Sequence, residues 1–400
     1  MMQTQRIHRR HFLVGAAGTA GAVATVGATG ISFPAFAQDA TPLPDVVSWK
    51  DPDAVIVHTE NTVETERGAI GTSGITSSDQ LYLRNNLPPP GEEVVANRDA
   101  WEVSIEGVRN PRSITVGELK GLGIETVATV LQCSGNGRGY FDHEASGTQW
   151  MVGAAGNLLW SGVPVRTIVE ELGGIEDGRV FMTSTGGETV PQGVDPKTIV
   201  VERSIPVEAA MENAILAWEM NGEPVPRAHG GPLRVVVPGY YGINHVKYVK
   251  KVAFTETESD AAIQRTGYRV RPVGVEGAPD QPSMWEMKVK SWVTHPLMDV
   301  ETGRVQIHGV AFGGINAVKS VEVSTDGGQT WQEARFLGPD LGRFAWRPFV
   351  LPADLQPGTY VITSRATDSE GRVQEEVTEP NHRGYDYSGW RALAVDVTVG

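Results

Sequence analysis

Apolar and polar positions follow a mixed rhythm over the first two thirds of the chain and a simpler one after Val289. In residues 101–107, Trp-Glu-Val-Ser-Ile-Glu-Gly, the alternation has period two, as in a half-buried strand. Thr115 then offers an N-cap for a short helix reaching Lys120. Residues 150–159 are apolar and small, and Val163-Pro164 opens a helical pattern through Val165, Ile168, Val169 and Leu172 that Gly173-Gly174 stops. Residues 209–220 read as a further helix, with Ala210, Ile215 and Trp218 turned inward. Strands and helices mix here without a regular βαβ period, which predicts an α+β fold rather than a doubly wound sheet.

Beyond Val289 come short alternating runs at residues 305–310, 318–324, 344–351, 359–366 and 392–399, with a hairpin turn at Asp326-Gly327-Gly328. Such strands predict an immunoglobulin-type β-sandwich, here without a disulfide. A length of 400 residues fits two domains. The expected boundaries are an arm over 38–75, a first domain over 76–273, a Gly/Pro-rich linker over 274–284 and the sandwich over 285–400.

The first 37 residues stand apart. Arg9-Arg10 followed by Phe12-Leu13, a small apolar run and Ala35-Phe36-Ala37 form a charged region, an apolar region and a cleavage site. The paired arginines make this a twin-arginine signal, which exports folded proteins, so the expected location is the periplasm, with no membrane attachment after cleavage. An uncleaved anchor is the other reading of such a segment. Residues 1–37 carry three arginines and no acid, so a formal charge of -14 becomes -17 beyond them. That balance argues against nucleic acid and favours encounter with a basic protein, although it also simply keeps a surface solvated.

Candidate chemistry centres on the one cysteine. The run Val127-Ala128-Thr129-Val130-Leu131-Gln132 delivers Cys133 into Ser134-Gly135-Asn136-Gly137-Arg138-Gly139, so three glycines and an arginine follow within six residues. A lone Cys is commonly an inert small hydrophobe. Here backbone freedom lets a group approach closely and a guanidinium favours the thiolate, so thiolate chemistry or metal ligation is the better reading. A zinc site needs more ligands than one Cys without a nearby His pair, and the absence of Cys-x-x-Cys-His means that no c-type haem is attached to this chain.

Together with Leu83-Arg84-Asn85-Asn86-Leu87-Pro88, residues 216–224 (Leu-Ala-Trp-Glu-Met-Asn-Gly-Glu-Pro) and residues 229–239 (His-Gly-Gly-Pro-Leu-Arg-Val-Val-Val-Pro-Gly), this turn resembles the sulfite oxidase family of molybdenum enzymes. The resemblance covers residues 76–400 and is nearest to bacterial periplasmic, haem-free sulfite dehydrogenases. It implies a molybdenum–molybdopterin cofactor, one Mo per chain, with Cys133 as the protein ligand to the metal. It places Leu83, Asn85, Asn86, Thr185, His229, Arg234, His245 and Lys247 against the pterin and its phosphate. Arg84, Arg138 and Arg383 become the cations that hold a sulfite dianion, with Tyr268 and Trp150 in the same pocket. Guanidinium forks suit oxyanions because two donors are fixed at one angle.

The implied reaction is oxidation of sulfite to sulfate, with electrons passed to a separate c-type cytochrome and the sandwich carrying a homodimer contact. Asn86, Gly267 and Ser146 stand where vertebrate members have His, Asp and Lys, so the pocket has fewer titratable groups. A sulfane-sulfur dehydrogenase or an S-oxide reductase on the same scaffold is the neighbouring alternative. A different class, an exported binding protein that works through its immunoglobulin-like domain, has no need of Cys133 or of the arginines.

Overall fold

The computed structural model describes residues 42–301 and 303–400, so the signal segment lies outside the described residues. Two sheets build the first domain. In one, Glu125–Gln132 runs antiparallel to Ala155–Pro164, which pairs with Ile215–Met220, and Ile215–Met220 in turn carries Glu223–Pro224 and Arg234–Val236. The other has the order Arg112–Thr115, Glu102–Glu106, Lys251–Thr255, Phe181–Thr185, Glu202–Pro206, with one parallel pair between Glu102–Glu106 and Lys251–Thr255. Helices Val165–Glu171 and Val207–Asn213 bury Val165, Ile168, Val169 and Ala210 in the core these sheets share.

Several elements form as their residues dictate. Glu102–Glu106 buries Val103 and Ile105 and exposes Glu102 and Glu106. The helix Val116–Gly121 starts with a reciprocal cap: Glu118 N donates to Thr115 Oγ1 at 3.1 Å, and Thr115 N donates to Glu118 Oε2 at 2.8 Å. The expected helix over 209–220 is corrected. Helix Val207–Asn213 ends at Asn213 and Ile215–Met220 is a strand. This strand is paired on both edges and buried on both faces, so its apolar run is continuous and carries no period of two to reveal it.

The arm has more structure than its sequence implies. Val55–Thr59 and Thr62–Thr65 form a hairpin that takes Leu83–Arg84 as its third strand. Lys50, 3% exposed, donates from Nζ to the carbonyls of Ser78 at 2.9 Å and Leu81 at 2.5 Å. The segment before the first domain thereby fixes the loop on which Arg84 rides.

The sandwich is formed by Lys290–His295, Arg304–Phe312, Arg347–Asp354 and Arg335–Phe336 on one side, and by Gln332–Glu333, Val318–Ser324, Gly358–Asp368 and Val395–Val399 on the other. Val293, Ile307, Val321, Phe349, Ile362 and Val397 meet between them. Gly327 and Gly328 take positive φ in the hairpin turn, as the sequence requires. Among the described residues no helix is long and apolar enough to cross a membrane.

Candidate active site

The strand Glu125–Gln132 ends against Ala155, and Cys133 follows it directly. Asn136, 1% exposed, holds the turn closed: its Nδ2 donates to Gln132 Oε1 at 3.0 Å and its Oδ1 accepts from Ala154 N at 3.1 Å. Cys133 N donates to the Ala154 carbonyl at 2.9 Å. The thiol is a free cysteine, partly exposed, in the wall of a cavity of about 690 Å³ including its open mouth.

Three segments supply most of the charged and polar wall, with Glu188 and Tyr268 joining from elsewhere in the chain. Arg84, Asn85 and Asn86 come from the loop after the arm; His229 and Arg234 flank the Gly230-Gly231-Pro232 turn; His245 and Lys247 follow the helical turn Gly242–Asn244. Gly230 is required where it stands, because its φ is +105° and an added Cβ would lie 2.8 Å from the Lys247 side chain. Lys247 Nζ donates to Asn85 Oδ1 at 2.5 Å and to the Ala228 carbonyl at 2.9 Å, and Arg234 Nη1 donates to the His229 carbonyl at 2.8 Å. Nine of the sequence-derived residues therefore share one cavity: Cys133, Arg84, Asn85, Asn86, His229, Arg234, His245, Lys247 and Tyr268.

The cavity is crowded with cations in an acidic chain, and its ionisation is distorted accordingly. Burial, and then the charge of Arg234, pushes His245 down to about 3. His229 is lowered well below its ordinary value by burial and by Lys50, Lys247 and Arg234. Burial also brings Arg234 down to about 10 and lowers Lys247, whose charged form is further opposed by Arg234 and Arg84. The acid in the wall, Glu188, is pushed up to about 7 by burial.

Asn85 Nδ2, Ser134 Oγ, Glu188 Oε2, His229 Nε2, Arg234 Nε, His245 Nδ1 and Tyr248 OH are all buried without a hydrogen-bond partner, and all belong to this wall. Buried polar groups ordinarily pair, so a cluster of orphans marks the outline of a polar, anionic occupant. A soft sulfur donor in the same cavity as Lys247, Arg234 and two histidines suits a metal dithiolene whose pterin bears a phosphate. Among the described residues no three His, Cys, Asp or Glu side chains gather as a metal site.

Arg138 and Arg383 stand just behind the wall. Arg138 Nε donates to the Arg383 carbonyl at 2.9 Å, and the two guanidiniums lie 5.4 and 5.9 Å from the ring centre of Tyr385. Tyr385 stacks at 5.0 Å on Tyr268, which faces the cavity. The arginines from both domains are thus brought to one side of the site.

Five expected residues fall outside the wall: Arg138 and Arg383, which the stack of Tyr385 on Tyr268 separates from it, and Thr185, Leu83 and Trp150. Thr185 commits its hydroxyl to Glu202 Oε2 at 2.7 Å. Leu83 is fully buried and packs with Val55 and Val63 in the arm. Trp150 is buried between the rings of His58 and Tyr82, at 5.1 and 6.3 Å, so Tyr82 lines the cavity in its place. Tyr82, Glu188, Tyr248 and Tyr385 were not singled out from sequence. Tyr82 sits two residues before Arg84 and Tyr385 two after Arg383, so adjacency to a candidate arginine was the available signal.

Comparison with known families supports the same assignment. Residues 90–263 match the oxidoreductase molybdopterin binding domain and residues 281–398 the Mo-co oxidoreductase dimerisation domain. Fold and site together define a molybdopterin-dependent oxidoreductase. The chain is 32% identical over 347 residues to mitochondrial sulfite oxidase of Rattus norvegicus, covering 81% of this chain and 62% of that protein's length. With sulfite oxidase of Arabidopsis thaliana the identity is 30% over 362 residues, covering 82% of this chain and 90% of the plant protein. The chain belongs to the sulfite oxidase family of molybdenum enzymes. Its backbone is similar to the crystal structure of the sulfane dehydrogenase SoxCD from Paracoccus pantotrophus, with a TM-score of 0.69 and 23% identity over 86% of this chain and 88% of that one, a likeness of fold.

Proposed function

We propose that this protein oxidises sulfite to sulfate in the periplasm, after twin-arginine export, and passes the electrons to a separate c-type cytochrome. One observation carries the reading: the lone thiol opens into a cavity lined with Arg84, Arg234 and Lys247 and backed by Arg138 and Arg383, in a chain whose net charge is -14. Sulfite and water become sulfate, two protons and two electrons. When bound, the molybdenum cofactor supplies the two-electron redox change and the transferred oxygen.

The chain's own residues do the rest. Cys133 anchors the metal, while Asn85, Asn86, His229, Arg234, His245 and Lys247 pair with the pterin and its phosphate. Arg84, Arg138 and Arg383 gather the dianion and offset its charge, and the Tyr268 hydroxyl donates a hydrogen bond to it. The sandwich carries a homodimer contact, in keeping with the dimerisation-domain match.

Molybdenum analysis of the purified protein, followed by sulfite-dependent reduction of ferricyanide or cytochrome c, tests this. Stoichiometric molybdenum with sulfite turnover is expected. Molybdenum with turnover only on sulfane sulfur or an S-oxide would move the substrate to the second reading. A folded protein that takes up no molybdenum would point to a binding role instead.

A further inference from the structure

We propose that Tyr385 is a positioning residue of the oxyanion site: its ring is the common plate on which Tyr268, Arg138 and Arg383 are set, so that the second domain shapes affinity for the substrate anion through a side chain that never meets it. The proposal rests on the oxyanion reading above and extends it to a residue outside the cavity.

The two rings and three guanidiniums stand in successive contact. Arg203, buried and brought down to about 10 by that burial, lies 5.7 Å from the ring centre of Tyr268. Tyr268 and Tyr385 are parallel within 6° at 5.0 Å. Arg138 and Arg383 then lie 5.4 and 5.9 Å from the centre of the Tyr385 ring. Arg203 is itself fixed, donating from Nε to Asn244 Oδ1 at 3.2 Å and from Nη2 to Ser283 Oγ at 3.0 Å. An aromatic face is the negative part of the ring's quadrupole, so it attracts a guanidinium placed over it. The Tyr385 phenol beside Arg383 also keeps that guanidinium above its ordinary range.

The loop bearing Tyr385 is stitched to the turn bearing Cys133. Asn381 grips the Tyr385 backbone from both sides: its Nδ2 donates to the Tyr385 carbonyl at 2.8 Å, and its Oδ1 accepts from Tyr385 N at 2.9 Å. Asp386 N donates to the Ser134 carbonyl at 2.9 Å, and Tyr387 packs edge-on against Phe141 at 4.8 Å. At Gly384, with φ +58°, an added Cβ would sit 2.8 Å from Arg138 Cγ, so the loop approaches as closely as a backbone can. Tyr385 itself is 2% exposed. A ring placed only to fill space would not need its loop held at both peptide groups, nor two cations drawn onto it.

If the plate is removed, Tyr268 loses its stacking partner and the two guanidiniums lose their shared surface. The anion then binds to a site whose donors are no longer held at fixed angles. The discriminating experiment is calorimetric titration of sulfate, the product oxyanion, into molybdenum-loaded wild type, Tyr385→Leu and Tyr385→Phe, beside KM and kcat for sulfite and molybdenum content. For Tyr385→Leu, sulfate affinity should weaken and KM should rise by about tenfold or more, with kcat and molybdenum content within about twofold of wild type. Tyr385→Phe keeps the plate and loses only the phenol beside Arg383, so both quantities should shift by about threefold.

A leucine variant with wild-type sulfate affinity would overturn the proposal, as would a loss confined to kcat or to molybdenum content. Should that variant fail to fold, Tyr385→Met, which fills the space without an aromatic face, decides, and unchanged sulfate affinity there overturns the proposal equally. Wild type that binds no sulfate would overturn the oxyanion reading itself. Variants that match a sulfate-binding wild type would remove the role of Tyr385 alone.

Discussion

In the sandwich, Gln374 is 3% exposed and its amide is fully employed: Oε1 accepts from Ser291 N at 2.9 Å, Ser291 Oγ at 2.8 Å and Ala366 N at 3.2 Å, while Nε2 donates to the carbonyls of Ser291 at 3.1 Å and Ser388 at 2.7 Å. In the cavity of the first domain seven buried polar atoms have no partner, whereas on the sandwich strands the described orphans are Trp292 Nε1 and Arg347 Nε. An unpaired buried polar group costs about 1–3 kcal/mol. Orphaned polar atoms are therefore scattered singly in the sandwich and gathered in the cavity, where they face one common space.

This contrast breaks if buried polar groups behave alike in the two regions. Gln374→Leu strips partners from the backbone of Ser291, Ala366 and Ser388, and should lower unfolding stability by roughly 3–6 kcal/mol. Tyr248→Phe, which deletes an orphaned hydroxyl, should leave cofactor-free protein unchanged or about 1 kcal/mol more stable. Urea unfolding of both variants without cofactor provides the comparison. Equal losses would mean that the cavity orphans are satisfied in some way the geometry does not show.

The next effect concerns the arginines that bridge the regions. Arg138→Gln and Arg383→Gln should each raise KM for sulfite about tenfold, the equivalent of about 1.4 kcal/mol lost when a cation behind the wall no longer offsets the anion's charge. An Arg383 variant with full molybdenum and wild-type kinetics would confine the anion site to the first domain.

Smaller still is the proton linkage of Lys50, which burial brings from 10.5 down to about 7 against the opposing pull of Asp79. Between those two values the unfolded lysine holds a proton that the folded one has released. Stability of cofactor-free protein should therefore rise with pH across that window, by at most about 1.4 kcal/mol per pH unit from this group, while below it the full penalty for burying a charge applies. Lys50→Met should flatten the slope, while losing the hydrogen bonds to the Ser78 and Leu81 carbonyls at every pH. Urea midpoints at several pH values measure the difference, and parallel curves for wild type and variant would show that Lys50 does not titrate in the window.

What could be read from sequence was whatever is local. The Cys133 turn, the Thr115–Glu118 cap and the alternating strands beyond Val289 each declare themselves within about ten residues, because φ preference, capping and side-chain period are short-range properties. The strand Ile215–Met220 did not, since burial on both faces erases its period. Nor did Lys50, Glu188 or Tyr385: a lysine, a glutamate or a tyrosine looks the same in sequence whether solvated or buried, and only tertiary packing sets which it is. Thr185 and Trp150 fail the other way, since each is of a suitable type but turned to a neighbour, Glu202 in one case and the rings of His58 and Tyr82 in the other.

Molybdenum K-edge X-ray absorption of purified wild type and Cys133→Ser tests most directly whether the lone thiol completes a metal site in this cavity. The account predicts that both proteins contain molybdenum and pterin, that the serine variant shows one sulfur ligand fewer, and that its sulfite turnover is almost abolished. An identical sulfur shell in the two proteins, or full turnover in the variant, would contradict it.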